Sequence, residues 1–215
     1  MSFSNFPRIV HRLISPISGE IIVKEQLGQH TLLVEGIPQS GGIVAQIWKK
    51  GVKKLPNLGK VPNVLLLGLG GGTVVNLLKK RWPQTRILAV EIDPQIVVIG
   101  RTYFGLDKIP GLKIITDDAF KVVSGKKAGI EEGKFDLVLV DVYLGKKLPG
   151  FVGEEDFISQ LKKLLSSKGI IVFNYLLDEV GKETVGSFEG KVKKIFPKMS
   201  VLQTASNELI FAYQR

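Results

Sequence analysis

Four places along the chain carry residue types and spacings that can do chemistry. The first is Val64–Lys80, "VLLLGLGGGTVVNLLKK", where an apolar run meets a glycine cluster that opens a helical pattern. Glycines at such a turn let the backbone approach a guest closely, and the unpaired N–H groups of the following helix point at it. Gly68, Gly70 and Gly72 form G-x-G-x-G, and the turn holds no acidic residue. The second place is Glu91 in "AVEIDP", 19 residues after Gly72 and at the end of another apolar run. A carboxylate there can accept hydrogen bonds from both hydroxyls of a ribose. The third is "TDDAF", where Asp117 and Asp118 compete to accept from the exocyclic amine of an adenine. The fourth is Asp141 in "FDLVLVDV". An acid at the end of a buried strand faces the crevice where open α/β sheets bind ligands.

Each of these has a plainer reading beside it. Turn glycines can serve packing alone, and Glu91 and Asp141 can be ordinary strand-end and turn acids. Asp93 reads as the cap of the next helix, and an acid of "TDDAF" can do the same. Four such stations at four successive strand ends are harder to reach by chance than any one. A nicotinamide fingerprint would place a further glycine where Thr73 stands, which counts against that cofactor. His11 and His30 are far apart and lack an acid-rich companion motif, so no metal site is expected. Trp48 and Trp82 read as packing residues. Asn174, ending a later strand, faces either the site or a structural neighbour. There is no Ser-His-Asp arrangement and no P-loop lysine.

The elements that must position these residues alternate. Apolar strands at Val64–Leu67, Arg86–Ile92, Leu112–Thr116, Phe135–Val142 and Gly169–Tyr175 are each followed by a helical stretch. Those helices are expected at Gly72–Arg81, Pro94–Phe104, Ala119–Val123, Glu154–Leu165 and Glu179–Phe196. All-apolar strands alternating with helices predict a parallel sheet covered on both faces. The end, "MSVLQTASNELIFAYQR", reads as two strands joined at Ser206-Asn207, which sets the last strand antiparallel. Before the sheet, Gly19–Gly36 reads as a hairpin around Leu27-Gly28-Gln29. Gly42–Lys54 reads as a short helix with Ile43, Ile47 and Val52 on one face. The expected division is 1–60, a hairpin and helix extension, and 61–215, the nucleoside-binding α/β domain.

Length and composition set the outer bounds. With 215 residues, 44% hydrophobic and 23% charged, the chain is long and apolar enough for a globular domain with a real core. It has no cysteine, which excludes disulfides and thiolate metal sites. The first residues lack a signal-peptide pattern, and no run approaches about 18 apolar residues. A cytoplasmic protein without a membrane span is therefore expected. The net charge of +10 favours acidic partners. Its lysine pairs are scattered, however, and no basic-aromatic motif supports a nucleic acid.

Together these stretches resemble the S-adenosylmethionine-dependent transferases of the seven-stranded Rossmann-like class, and within it the spermidine synthase family and its methyltransferase-like relatives. The resemblance runs from about Gly19 to Tyr175 through "LLVEGIPQS", "VLLLGLGGGT", "AVEIDP", "TDDAF", "FDLVLVDV" and "LKKLLSSKGIIVFN". It implies a mostly parallel seven-stranded sheet with its last strand antiparallel and a small N-terminal β-hairpin appendage. It also implies that Gly68–Gly72 wraps the methionine portion of S-adenosylmethionine and that Glu91 holds the ribose. Asp118 with the Ala119 backbone would read the adenine, and Gln39 would line the pocket from the hairpin. Asp141 would stand at the reacting centre as base, with Tyr143 as a wall of the acceptor pocket. The related synthases are often dimeric, so a homodimer is expected.

The departures from that family carry information. Aminopropyltransferases usually read "GGGDGGT" at the turn, whereas this chain has "GLGGGT". They follow the fourth strand with D-S-S-D-P or similar, whereas here "DVYLG" puts Leu144 at the second acid position. Their Tyr-His-Glu segment has no counterpart near Ala45-Gln46-Ile47. A polyamine is a flexible polycation, and holding it away from water needs paired carboxylates. The sequence therefore favours S-adenosylmethionine over its decarboxylated form, and methyl transfer to an unidentified acceptor. Aminopropyl transfer and a non-catalytic nucleoside-binding module are the alternatives.

Overall fold

The computed structural model describes residues 6–125, 130–145, 147–177, 181–204 and 206–215. Lys126, Lys127 and Lys146, and the start expected for the last helix at Glu179, lie outside the described residues.

Five strands run parallel at the centre: β5 (Asn63–Leu67), β6 (Arg86–Glu91), β7 (Leu112–Thr116), β8 (Phe135–Val140) and β9 (Leu165–Leu176). The terminal hairpin, β10 (Lys198–Gln203) and β11 (Asn207–Tyr213), completes a seven-stranded sheet in the order β10-β11-β9-β8-β5-β6-β7. β11 is antiparallel to both its neighbours. Strand periodicity explains why the central runs are apolar throughout. Val64 and Leu66 of β5 join one core cluster, Leu65 and Leu67 the opposite one, and all four are fully buried. The first face is covered by α1 (Gly42–Lys54), α2 (Thr73–Arg81) and α3 (Pro94–Phe104). The second is covered by α4 (Ala119–Val123), α5 (Glu155–Leu164) and α6 (Lys182–Ile195).

Local chemistry sets the helix ends. Asp93 and Asp118 cap α3 and α4 by accepting from Gln95 N and Phe120 N, each at 2.8 Å. α5 starts with Glu155 and Asp156 and ends with Lys162 and Lys163, which complements the helix dipole.

The N-terminal appendage is larger than a hairpin. A four-stranded antiparallel sheet is built from β1 (Arg8–Ser15), β2 (Gly19–Gln26), β3 (Gln29–Val34) and β4 (Ile37–Pro38). The turns at Leu27-Gly28 and Glu35-Gly36 both have two residues at positive φ, the geometry that suits tight hairpins. β1 escapes a periodicity reading because a register shift between Ile9 and His11 breaks its alternation, and Ile9 and Ile14 face outward. The inner face, Ile21, Val23, Leu32 and Val34, packs on Ile96 and Ile99 of α3. A buried bond from Ser15 Oγ to Asp93 Oδ2, 2.5 Å, pins the same junction.

α1 belongs to the large sheet. It buries Ile47, Trp48 and Val52 against it, while Ile43, expected on that face, is 47% exposed at the rim of a cavity.

Candidate active site

The chain leaves β5, runs outward to β6 and β7, then returns to β8 on β5's other side. The carboxyl ends of β5 and β8 therefore lie side by side, with Leu67 paired to Val140 and Asp141 N donating to Leu67 O at 2.8 Å. This is the switch point where open α/β sheets form a ligand crevice.

The glycine turn sits there under tight constraint. Gly68 has φ 89°, and a Cβ on it would fall 2.0 Å from the Asp141 carbonyl oxygen. Gly70 has φ 52°, and its Cβ would meet the Gln39 carbonyl oxygen at 2.8 Å. Only glycine allows both the backbone conformation and the close approach. Gly72, at the N-cap of α2, packs toward Leu106 instead and lies outside the cavity lining.

Glu91 reaches under this turn. Its Oε2 accepts from Leu69 N at 3.1 Å and Gly70 N at 3.3 Å, and its Oε1 accepts from Asp93 N at 3.1 Å. Burial pushes its carboxyl above the usual range, and the three N–H donors pull the other way. A carboxylate offers about four acceptor sites, so one remains after these three bonds. Glu91 thus shapes the glycine turn and keeps one acceptor site open.

The structure brings Gln39, Gly68, Gly70, Glu91, Asp118 and Ala119 onto one cavity of about 120 Å³, and Asp141 and Tyr143 onto the same cavity. Asp117 lines it too. Asp118 commits Oδ1 to the α4 cap, and Asp117 accepts from Asp118 N at 2.8 Å. The apolar side chains of Ile92, Ile96 and Phe151 complete the walls. The cavity thus combines apolar walls with the Glu91 carboxylate at one place and Asp117 and Asp118 at another.

Asp141 closes the cavity and opens a second one. Its Oδ1 accepts from Asn174 Nδ2 at 2.7 Å and its Oδ2 from Trp48 Nε1 at 2.9 Å. Burial raises its carboxyl above the usual range, and those two donors oppose the rise. Tyr143 is turned toward the fold. Its hydroxyl donates to Asn174 O at 2.7 Å and accepts from Leu176 N at 2.9 Å, and burial followed by the charge of Asp141 makes it harder to ionise. The second cavity, about 210 Å³, lies between β4, α1, β9 and the β10–β11 turn. Gln39, Asp141 and Tyr143 line both.

Trp48 was read from sequence as packing. Its ring is packed, at 1% exposure, yet its N–H serves Asp141. Asn207 was read only as a turn residue, but its Nδ2 donates to Asn174 Oδ1 at 2.8 Å. Neither role has a local signature, because each depends on contacts 93 or 33 residues away in the chain. Among the described residues, no group of three or more His, Cys, Asp or Glu is placed to hold a metal ion, and no helix is long and apolar enough to cross a membrane.

Comparison with known proteins places this fold and cleft in a class. The spermine/spermidine synthase domain model matches residues 47–209, and the chain belongs to that family. It is 34% identical over 115 residues to a polyamine aminopropyltransferase of Vibrio vulnificus, covering 54% of this chain and 38% of that protein. It is 27% identical over 158 residues to the eEF1A lysine and N-terminal methyltransferase of Homo sapiens, covering 69% of this chain and 22% of that protein. The chain thus spans well under half of either relative, and both are transferases by name. Among solved structures, a probable spermidine synthase from Corynebacterium glutamicum superposes with a TM-score of 0.79 at 16% identity, over 99% of this chain and 81% of that one. Human methyltransferase-like protein 13 in complex with SAH gives 0.61 at 21% identity, over 79% of each chain. The α/β architecture, its seven-stranded sheet and its Rossmann-like class are those expected from the sequence.

Proposed function

We propose that the chain is an S-adenosylmethionine-dependent transferase that moves a methyl group to an acceptor nucleophile held beside Asp141. One observation carries the reading: the glycine turn, Glu91 and Asp141 converge on one crevice, and among the described residues its recess toward α2 holds no carboxylate besides Asp141. The small recess beyond Asp141, toward Thr73 and Val74, has Asp141 as the sole charged group among its described lining residues. α2 begins there without an acid in its first turn. Free N–H groups at a helix N-terminus suit a carboxylate end better than a bare ammonium.

The residues fit the cofactor. Gly68 and Gly70 line the cavity with bare backbone, Glu91 keeps an acceptor site, and Ile92, Ile96 and Phe151 provide apolar walls. When bound, the sulfonium supplies an electrophilic carbon with a good leaving group. Asp141 takes the proton of the acceptor, freeing a lone pair for in-line attack, while the cleft supplies position and excludes water. Asn174 and Trp48 hold the Asp141 carboxylate at both oxygens, so the base is fixed before the acceptor arrives.

Aminopropyl transfer is the second reading. It is favoured by the family match and by the 34% identity to the Vibrio vulnificus enzyme. Calorimetry with S-adenosylmethionine, its decarboxylated form and methylthioadenosine separates the two. Tighter binding of the carboxylated compound supports methyl transfer. Tighter binding of the decarboxylated one favours aminopropyl transfer, and no binding of any of the three defeats both.

A further inference from the structure

The second cavity has a composition that selects its ligand. Ile37 and Pro38 of β4, Val44 and Ile47 of α1 and Leu176 of β9 give it apolar walls. Among its described lining residues Asp141 is the sole charged group. The other polar groups are neutral, and those of Ser206, Asn207 and Asn174 engage one another, while the Gln39 amide adds a polar group without charge. Ser206 Oγ donates to Asn207 Oδ1 at 2.8 Å, Asn207 Nδ2 donates to Asn174 Oδ1 at 2.8 Å, and Asn174 Nδ2 donates to Asp141 Oδ1 at 2.7 Å. This relay leaves the Asn174 amide one orientation, with its N–H toward the carboxylate and its oxygen toward Asn207. Each amide oxygen therefore already accepts one bond. The nearest further carboxyl on the terminal hairpin, Glu208, follows Asn207 by one position and so lies on the other face of β11.

We propose that this cavity is the acceptor site and that it takes a small monoamine with an apolar body, in preference to a di- or polyamine. The inference rests on the transferase reading for the reaction, and on the cavity alone for the ligand. One ammonium placed at the junction of the two cavities is neutralised by Asp141. A second ammonium farther along the same chain would be desolvated against Ile, Val, Pro and Leu side chains with no counter-charge, which is strongly unfavourable. The hydrocarbon body instead gains from leaving water. In the reaction the ammonium gives one proton to the Asp141 carboxylate. The freed nitrogen lone pair then bonds to the carbon on the sulfonium of S-adenosylmethionine. The carbon–sulfur bond breaks with its electron pair left on sulfur, giving a thioether and an alkylated ammonium, and Asp141 returns its proton to solvent.

Three probes of one length test this on the wild-type chain: hexylamine, 1,6-diaminohexane and hexanol. Each is titrated with methylthioadenosine present, and the readout is the ¹⁵N–¹H indole resonance of Trp48, which lines the cavity. Hexylamine is expected to shift that resonance and to bind at least about tenfold more tightly than the diamine. It is also expected to outbind hexanol, and Asp141→Asn is expected to abolish the margin over hexanol while the far-UV spectrum stays native. Equal or tighter binding of the diamine overturns the proposal. So does the lack of any response to hexylamine, including the case where only a protein substrate is modified. Calorimetry with methylthioadenosine alone separates the two layers. Nucleoside binding without amine discrimination overturns this inference and leaves the transferase reading standing. Amine discrimination without nucleoside binding supports this inference and defeats the transferase reading.

Discussion

Replacing Trp48 by Phe isolates one contact to the Asp141 carboxylate. The ring stays to fill the space against the sheet, but the N–H that reaches Asp141 Oδ2 at 2.9 Å is lost. A hydrogen bond to a charged group contributes about 1.5–3 kcal/mol. Asp141 is half-buried and keeps the Asn174 bond at 2.7 Å, so the lower end of that range applies. About 1.4 kcal/mol is tenfold in proton affinity. The sign follows from which form the bond favours. Trp48 stabilises the anion, so its loss makes Asp141 hold its proton about tenfold more tightly, on top of the rise that burial already imposes. The assay is ¹³C NMR of the Asp141 carboxyl carbon across a pH titration of parent and variant. The acidic limb of the transfer rate should move to higher pH by about one unit, because the ionised form is the one that accepts the acceptor's proton. Methylthioadenosine affinity should hold, since Trp48 does not line the first cavity. An Asp141 titration that stays put, or moves to lower pH, would refute the argument that the indole N–H tunes this base.

Three further outcomes follow from the same contacts. Glu91→Gln replaces a carboxylate that accepts three backbone N–H bonds with an amide that has one acceptor oxygen. Methylthioadenosine affinity is expected to fall roughly 10- to 100-fold by calorimetry, and unchanged affinity would remove Glu91 from the nucleoside site. Gly68→Ala forces a Cβ to within 2.0 Å of the Asp141 carbonyl at φ 89°. Strain and overpacking of about 1–3 kcal/mol each should lower the melting temperature by at least about 5 °C. Burial and the neighbouring Glu189 carboxyl both raise the Glu208 carboxyl above the usual range. A raised carboxyl favours the fold when protonated, so this contribution is present at acid pH and is lost as pH rises through the folded-state value. Glu208→Gln should therefore melt about 1–3 °C higher than the parent at pH 7. The two curves should converge as pH falls below the ordinary carboxylate range, and a constant difference at all pH values would contradict this.

The large sheet was legible because each central strand is buried on both faces, so its composition alone separates it from the helices. Val64–Leu67 and Leu137–Val140 are continuous apolar runs for that reason. The appendage was less legible. β2 and β3 announce themselves through alternation and a Leu27-Gly28 turn. β1 hides behind its register shift, and β4 is two residues long and contains a proline. The helix α1 was placed correctly and its buried side includes the expected Ile47 and Val52, but not Ile43. That side also includes Trp48 and Gly51, and a glycine carries no hydrophobic signal. Gly51 is buried because Leu209 presses on it, with a Cβ there falling 2.6 Å from Leu209 Cδ1.

The two halves of the crevice differ in the same way, and the difference has a physical cause. The half proposed to hold the nucleoside is built from the carboxyl ends of consecutive strands, where a strand–turn–helix junction places Gly68, Gly70, Glu91 and Asp118 by local geometry. The half proposed to hold the acceptor is assembled from α1 before the sheet, β9 late in it and the turn before β11. Residues that look unrelated in the chain, Trp48, Asn174 and Asn207, meet at Asp141 through contacts spanning 93, 33 and 33 positions. Asp141 itself belongs to both halves, and this is why its sequence position was readable while its environment was not. The position is fixed by β8, but the burial and the two N–H donors that set its proton affinity come from elements on either side. Substitutions in α1 and at the β10–β11 turn can thus retune the acceptor and its pH dependence while the nucleoside half keeps its shape. A family that retains one glycine turn and one strand-end glutamate is free, on this arrangement, to vary the acceptor through residues that carry no motif.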